Sequence, residues 1–283
     1  MISSRCKLDL KMGYMVIRGE DVCRIFLDEI ALVLIENPAV SMTGCLLSEL
    51  MNRKIKVILC DNRHSPQGEM VPLYGSHDTS KKIRMQVNWS PAVKGAVWTQ
   101  IVSQKILQQS LYLREQNHEV EADLLQEYIK QIEFQDATNR EGHAAKVYFN
   151  GLFGKGFCRG GGPPFNPALD YGYTILLSAF NREVSANGYL TQIGIHHDNV
   201  FNFFNLSSDL MEPFRVLIDR AVWDNQLEEL DKSGKRLLAN VLNKEVFILG
   251  NKQTVLNTIS IYCRSVFDLL NGSSSGDIPM WKL

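Results

Sequence analysis

Short runs of aliphatic residues recur through the first quarter of the chain and are separated by Gly, Asp, Asn or Pro. This pattern is typical of short strands between turns, and it predicts strands at residues 14–17, 23–27, 31–35 and 55–59. Between the third and fourth runs, apolar residues recur at helical spacing behind Thr43, which can cap a helix that ends near Arg53. The pattern predicts a β-rich domain with one helix.

The hydrophobic period changes to that of helices after about residue 74. Ser90 followed by Pro91 is typical of a helix start, and the apolar residues that follow keep a helical spacing. The same spacing predicts further helices at 119–132 and 140–153. The rest of the chain is therefore expected to be mostly helical.

A polar segment separates the two patterns. GSHDTSKK (75–82) contains Gly and Ser, as linkers often do. We therefore predict a small N-terminal β-rich domain over 1–76, a linker and the start of the first helix over 77–89, and a larger all-α domain over 90–283. The predicted fold class is α+β.

Composition and charge place the chain among ordinary globular proteins. Hydrophobic residues make up 45% of the 283 positions and charged residues 22%. The six cysteines form no C-x-x-C pair, so neither a zinc ribbon nor a disulfide framework is indicated, and a reducing cytoplasm is expected. Apolar stretches are much shorter than the roughly 20 residues of a membrane span. Because the net charge is -1, any binding of nucleic acid must depend on local basic patches.

The segment NREGHAAKVYFNGLF (139–153) is the first that could carry chemistry. Asn139 can cap a helix whose first turn contains Glu141, on the same face as Ala145 and Tyr148. Two interpretations remain open for Glu141. It is either a ligand of a cation or an acidic residue that favours the positive end of the helix dipole.

The segment GIHHDNVFNFFNLSSDLMEPFR (194–215) is richer in such residues. His196 and His197 follow Gly194 in a predicted turn, and Asp209 and Glu212 are spaced so that both carboxylates lie on one face of a helix. A divalent cation could use that arrangement. The alternatives are that Asp209 and Glu212 form a capping box, or that Glu212 caps a helix with Pro213 at its first position, with the histidines on the surface or in the core.

A set of two Glu residues and one His within a helical domain favours a hard metal ion. Carboxylates with one imidazole suit Mg²⁺ or Mn²⁺, whereas a zinc site would offer more His or Cys ligands. Such an ion can polarise a phosphodiester and neutralise charge on its oxygens. The pattern therefore indicates phosphoryl chemistry.

Basic residues form clusters that could hold phosphates. For the cluster at 81–84, a solvated face is an equally good interpretation. The Gly-rich loop 154–166 lacks P-loop spacing, so we interpret it as a mobile connection. The predicted DNA-binding residues are Lys81, Lys82, Arg84, Arg140, Lys146, Lys155 and Arg159.

Four motifs in this order resemble a known family. NREGHAAKVYFN (139–150), LDYGYTILLSA (169–179), GIHH (194–197) and DLMEPFR (209–215) are similar to those of the CRISPR spacer-acquisition integrase, the Cas-one family, in its type II form. The resemblance covers nearly the whole chain. It implies a small N-terminal β domain joined to a larger helical domain that carries a metal site.

The resemblance also implies the site residues. Glu141, His197 and Glu212 would be the metal ligands and catalytic residues, and Asp209 would be a supporting neighbour. The choice of His197 over His196 follows from the G-x-x-H spacing. Relatives have a further apolar strand before a segment like SSRCKLDL (3–10), where only Met1 and Ile2 precede it here.

The function implied by the resemblance is that of a metal-dependent DNA integrase with associated endonuclease activity. It would join the 3′-hydroxyl ends of foreign DNA to the CRISPR repeat by transesterification. The implied partners are prespacer and repeat DNA, a second copy of the chain, a small second adaptation subunit, the type II effector nuclease and a ring-shaped DNA-end-binding protein. Two alternatives remain: a structure-selective nuclease acting on branched DNA or RNA, and a non-catalytic DNA-binding scaffold.

Overall fold

The computed structural model describes residues 1–70 and 76–283. These residues form two compact units, Met1–Thr79 with Ser185–Gly188, and Ser80–Val184 with Tyr189–Leu283. The last part of the predicted N-terminal domain, residues 71–75, lies outside the described residues. A separate helix over Thr79–Val87 lies within 77–89, the segment that the sequence assigned to the linker and the start of the first helix.

The first unit contains seven strands and one complete α-helix among its described residues. They are β1 (Lys7–Lys11), β2 (Tyr14–Arg18), β3 (Val22–Phe26), β4 (Leu32–Ile35), β5 (Ser41–Met42), α1 (Gly44–Asn52), β6 (Lys56–Cys60) and β7 (Pro66–Met70). Four of these strands and the helix match the predicted ones. As predicted, Thr43 caps α1 by accepting from the backbone N–H of Leu46. Strands β1, β5 and β7 are additional.

The strands of the first unit form two small sheets. One has the order β3-β2-β1-β5 and the other β4-β6-β7. Ile2 pairs with Ile35 of β4 in an isolated parallel bridge. Burial of the inward faces against α1 forms one hydrophobic core, which includes Leu8, Leu27, Leu46 and Val57.

The second unit is mostly helical. Its elements are α2 (Thr79–Val87), α3 (Pro91–Glu115), α4 (Glu119–Lys130), α5 (Arg140–Phe153), α6 (Asn166–Ala186), α7 (Asn205–Met211), α8 (Arg215–Asp224), α9 (Lys232–Asn240), β8 (Glu245–Ile248), β9 (Asn251–Thr254) and α10 (Val255–Leu270). The hairpin of β8 and β9 adds a small antiparallel sheet to the predicted helices. The predicted α+β fold class is confirmed.

Helix α3 is the central element of the second unit. The Ser90 side chain caps it by accepting from the backbone N–H of Val93, and Pro91 is its first residue. Residues on several of its faces are buried, and it packs against α4, α5, α8 and α10. Within the part of the chain that the structure describes, no helix has both the length and the apolar character needed to cross a bilayer.

Candidate active site

A buried lysine joins two of the predicted site residues. Lys105 lies in the middle of α3, and its ammonium contacts Oε1 of Glu141 and, at 2.5 Å, Oε2 of Glu212. The side chains of Lys105 and Glu212 are 8% and 5% exposed, whereas that of Glu141 is 30% exposed. Two carboxylates that are 71 positions apart in the sequence therefore share one positive charge.

Glu141 is positioned by the start of α5. Asn139 caps the helix, as predicted, by accepting from the backbone N–H of Gly142. The buried carboxylate of Asp136 accepts from the backbone N–H groups of Arg140 at 2.8 Å and of Glu141 at 2.9 Å. These bonds satisfy donors that the first turn of a helix leaves free. Asp136 was not predicted, although an acidic residue just before a helix is a typical sign of such bonds.

Glu212 lies between two helices. α7 ends at Met211, and Glu212–Phe214 form a single 3-10 turn before α8 begins. Nε of Arg215 donates to Oε1 of Glu212 at 2.9 Å. Burial alone would raise the pKa of Glu212, but Arg215 and Lys105 outweigh it and lower that pKa to about 2. The carboxylate therefore stays ionised at neutral pH.

Asp209 organises the GIHH segment. Its fully buried carboxylate accepts from the backbone N–H groups of Ile195, His196 and His197 at 2.6, 3.0 and 3.1 Å. A Cβ atom at Gly194 would lie 2.8 Å from Oδ2 of Asp209 and 2.3 Å from the carbonyl oxygen of His197, so this turn requires glycine. The G-x-x-H segment and Asp209 thus form one structural unit.

The two capping interpretations of Asp209 and Glu212 are wrong. Asp209 lies inside α7, whose N-cap is Phe204, and its carboxylate binds the preceding loop. Glu212 makes no capping hydrogen bond to the 3-10 turn that it begins, because its oxygens bind Lys105 and Arg215. Local spacing alone could not separate these possibilities, since the partners come from elsewhere in the chain.

His197 and His196 have different roles in the structure. Nδ1 of His197 lies 2.5 Å from Oδ1 of Asp209, which leaves Nε2 as the nitrogen not engaged by that carboxylate. The hydrogen bond to Asp209 is the main cause of a raised pKa at His197, and the charges of Asp209, Glu212 and Glu141 add to it. The His196 ring instead stacks on Trp98, with centroids 4.3 Å apart.

A second polar network lies among α5, α6 and α8. Asp219 is buried and accepts from the hydroxyl groups of Tyr173 and, at 3.0 Å, Tyr148. Burial raises the pKa of Asp219 to about 6, although both hydrogen bonds oppose the rise. The Arg215 guanidinium lies 4.8 Å from the ring centre of Tyr173 and so connects this network to Glu212.

The predicted metal ligands therefore lie within electrostatic reach of one another, but Lys105 separates the two carboxylates. Among residues 1–70 and 76–283, no three His, Cys, Asp or Glu side chains form a group that could hold a metal ion. The assignment of Glu141, His197 and Glu212 as ligands stays a prediction. Sequence reasoning missed Lys105, although it follows Ile101 by four positions in a buried helix stripe.

The predicted DNA-binding residues differ in their surroundings. Those on open surface are Lys81, Arg84, Lys146 and Lys155. Lys82 lies 5.5 Å from the ring centre of Tyr189, and Arg140 lies 5.4 Å from that of Tyr128. Arg159 binds Asn166 and Asp170 at the start of α6. Their role in binding DNA stays a prediction.

Comparison with known proteins gives consistent results. The family model described as CRISPR associated protein Cas1 matches residues 1–233. The CRISPR-associated endonuclease Cas1 of Neisseria meningitidis serogroup C is 34% identical over 224 residues, which cover 78% of this chain and 73% of that protein.

Two solved structures share the fold. A casposase bound to integration product matches with a TM-score of 0.76 and 18% identity, over 96% of this chain and 90% of that one. A Cas6-RT-Cas1–Cas2 complex matches with a TM-score of 0.74 and 18% identity, over all of this chain and 36% of the larger one. The predicted two-part architecture agrees with these similarities.

Replacing Asp209 with Asn should loosen the GIHH turn and lower the pKa of His197. An amide keeps one acceptor oxygen but places a donor against the backbone N–H groups, so we expect a loss of about 2 kcal/mol in stability. Urea unfolding measures the stability, and an NMR titration of the His197 ring measures the pKa. Asp198→Asn, an exposed change in the same loop, is the control and should leave both unchanged. An unaltered His197 pKa in Asp209→Asn would contradict this role.

Asp219 should make the protein less stable as pH rises. Its folded-state pKa of about 6 lies above the ordinary value, so the folded chain holds an extra proton between about pH 4 and pH 6. This contribution is complete below about pH 4 and is lost as pH rises through 6. The unfolding free energy of the wild type minus that of Asp219→Asn should therefore fall by about 2 to 3 kcal/mol over this range.

The control for this pH dependence is Asp231→Asn. Asp231 is the exposed cap of α9, and the backbone N–H of Gly234 lowers its pKa. Its contribution is therefore lost as pH falls, which is the opposite sign. Urea unfolding at a series of pH values measures both differences. A difference for Asp219→Asn that is constant with pH would show that the buried carboxyl is not protonated in the folded chain.

Proposed function

Because the chain belongs to the Cas1 family of CRISPR-associated proteins, we propose that it is the integrase of CRISPR adaptation. In this role it joins the 3′-hydroxyl ends of foreign DNA to the CRISPR repeat by transesterification. The observation that carries the proposal is the convergence of Glu141 and Glu212 on one cation position, with His197 close enough to respond to both charges.

The types of donor atom at the site suit Mg²⁺ or Mn²⁺. Glu141 and Glu212 supply carboxylate oxygens, and His197 supplies one imidazole whose Nδ1 is held by Asp209. A carboxylate behind a ligating histidine fixes its ring and raises its basicity. An oxygen-rich set with one nitrogen suits these ions better than zinc. When bound, the ion would supply Lewis-acid polarisation of a phosphodiester.

The residues of the chain itself orient the reacting groups. Asp136 holds the helix start that carries Glu141, Arg215 holds Glu212, and Asp209 holds His197. Fixed ligands lower the cost of reorganisation when charge develops on phosphate oxygens. The 3′-hydroxyl of DNA is the nucleophile, so the proposed reaction needs no covalent intermediate with the protein. A phosphodiester bond to the attacking 3′-oxygen forms as the phosphodiester bond of the repeat strand breaks. The repeat strand leaves as a free 3′-hydroxyl, which takes up the proton lost by the attacking one, and no ATP is needed.

The proposed partners follow from the family. They are prespacer and repeat DNA, a second copy of the chain, and the small second adaptation subunit, with the type II effector nuclease and a ring-shaped end-binding protein. A structural neighbour described as a Cas1–Cas2 complex supports the small subunit, and a casposase bound to integration product supports DNA joining. The type II form remains part of the proposal.

A second candidate function is hydrolysis of branched DNA by the same site, with water as the nucleophile. The Neisseria relative is named an endonuclease, which supports this activity. The two functions share a metal and differ in the attacking oxygen. Joined products from a labelled duplex indicate integration, and products that are only cut indicate hydrolysis.

Removal of either carboxylate should abolish joining. We expect Glu141→Gln and Glu212→Gln to reduce strand transfer of a labelled 3′-hydroxyl duplex into a repeat-bearing plasmid by at least about 100-fold. DNA affinity should change little, because the ligands do not hold the DNA backbone. The assay contains Mn²⁺ and the small adaptation subunit, and a fluorescence anisotropy titration measures DNA affinity.

The control for this assay is Glu229→Gln, which removes one exposed carboxylate before α9. It should join DNA at the normal rate. Normal joining by Glu212→Gln would show that the assignment is wrong. DNA binding without joined or cut products in the wild type would favour the scaffold interpretation.

The basic residues of α2 should contribute to DNA binding by neutralising phosphates. Replacing Lys81, Lys82 and Arg84 with Ala should weaken duplex binding. The slope of log affinity against log salt concentration should become less steep, by up to about 0.9 for each phosphate that is no longer neutralised. Anisotropy titrations over a range of salt concentrations measure this slope. Lys130→Ala, which removes an exposed charge paired with Glu127, is the control. A slope unchanged by the triple replacement would exclude this cluster from the DNA surface.

A further inference from the structure

Lys105 is the least expected residue of the site. A lysine is rarely buried unless it is paired, and Lys105 lies on α3 with 8% of its side chain exposed. Its ammonium binds one oxygen of Glu141 and one of Glu212, which come from different elements. The amine therefore bridges the two carboxylates to which the proposed function assigns a metal ion.

The other basic residue of the site is held differently. Arg215 donates to Oε1 of Glu212, whereas Lys105 binds Oε2. The Arg215 guanidinium also lies over the Tyr173 ring, at 4.8 Å from its centre. A planar group with contacts on two sides is fixed in place, but a lysine ammonium sits at the end of a flexible four-carbon stem. Of the two cations, Lys105 is therefore the one with the more flexible attachment.

We propose that Lys105 is a built-in counter-cation that competes with the divalent ion for Glu141 and Glu212. Metal loading then requires its ammonium to leave the space between the two carboxylates. This inference rests on the proposed function, because it assumes that these carboxylates are metal ligands.

The competition follows from geometry and charge. The ammonium lies between one oxygen of Glu141 and one of Glu212. An ion bound by both carboxylates would need the same space, since Mg²⁺ requires its ligands at roughly 2.1 Å. An ammonium and a divalent ion at neighbouring positions would also repel each other strongly in a poorly hydrated site. The partly exposed side chain of Glu141 gives the ion a route of approach from solvent.

The counter-cation has a function of its own in the metal-free protein. Without it, two carboxylates would face each other with no positive charge between them, and they would repel each other. Lys105 offsets this repulsion and holds the two carboxylates close together. The consequence is a weaker affinity for the ion than the bare carboxylates would have, so the site loads only at a sufficient metal concentration.

The test is a Mn²⁺ titration of the full chain by isothermal calorimetry, after EDTA treatment and without DNA. Lys105→Met removes the charge but keeps an unbranched apolar side chain, and it should bind Mn²⁺ at least about tenfold more tightly than the wild type. Lys105→Arg keeps the charge and should not bind more tightly. Lys94→Met removes a charge from the first turns of the same helix and should leave the affinity unchanged.

Equal or weaker Mn²⁺ binding by Lys105→Met and by Lys105→Gln would overturn the inference. If neither variant folds, the Lys105 ammonium signal of the wild type can be followed by NMR as Mg²⁺ is added. A change in that signal at the Mg²⁺ concentration that saturates the site supports the inference, and an unchanged signal at saturation contradicts it. Glu212→Gln separates the two proposals: if this variant binds Mn²⁺ as tightly as the wild type does, the proposed metal site itself is wrong.

Discussion

The ion cluster of Lys105, Glu141 and Glu212 is the interaction on which the rest of the site depends. Removing charged groups from water is costly, and the cost is offset only when each charge is well paired and hydrogen-bonded. Lys105 and Arg215 supply that pairing for Glu212. This pairing in turn requires α3, the start of α5 and the turn before α8 to lie next to one another, so that the three side chains meet. The same requirement places two carboxylates where a cation can be exchanged.

Asp209 is a second buried charge that is paired, in this case with groups of a loop. A carboxylate that is fully buried from solvent is strongly unfavourable unless it is hydrogen-bonded. Three consecutive backbone N–H groups and the His197 ring form hydrogen bonds with the buried carboxylate of Asp209. The turn cannot change without leaving this charge unpaired. The position of His197 is therefore fixed by electrostatics as much as by packing. A histidine oriented in this way is suited to coordinate an ion or to donate to a phosphate oxygen.

The sequence predicted those features that depend on neighbouring residues. Helix α5 has the predicted bounds because Asn139 caps it and its apolar residues keep one period. The prediction from sequence missed β1, β5 and β7. Segments such as KLDLK and PQGEM are too polar to indicate strands, and they become strands through pairing with their neighbours. The prediction also missed Lys105, because its place in a buried helix stripe indicates burial but not the two distant carboxylates that it faces. The motifs identified Glu141, His197 and Glu212 as site residues. Only the fold shows that these residues lie close together.

The central claim is that one cation position lies between Glu141 and Glu212 and is shared by Lys105 and a divalent ion. Anomalous diffraction from crystals grown with Mn²⁺ would test it most directly. We expect a single strong peak in contact with both carboxylates and Nε2 of His197, with the Lys105 ammonium moved out of the space between them. A Mn²⁺ peak elsewhere in the chain, with Lys105 still bridging the two carboxylates, would contradict it.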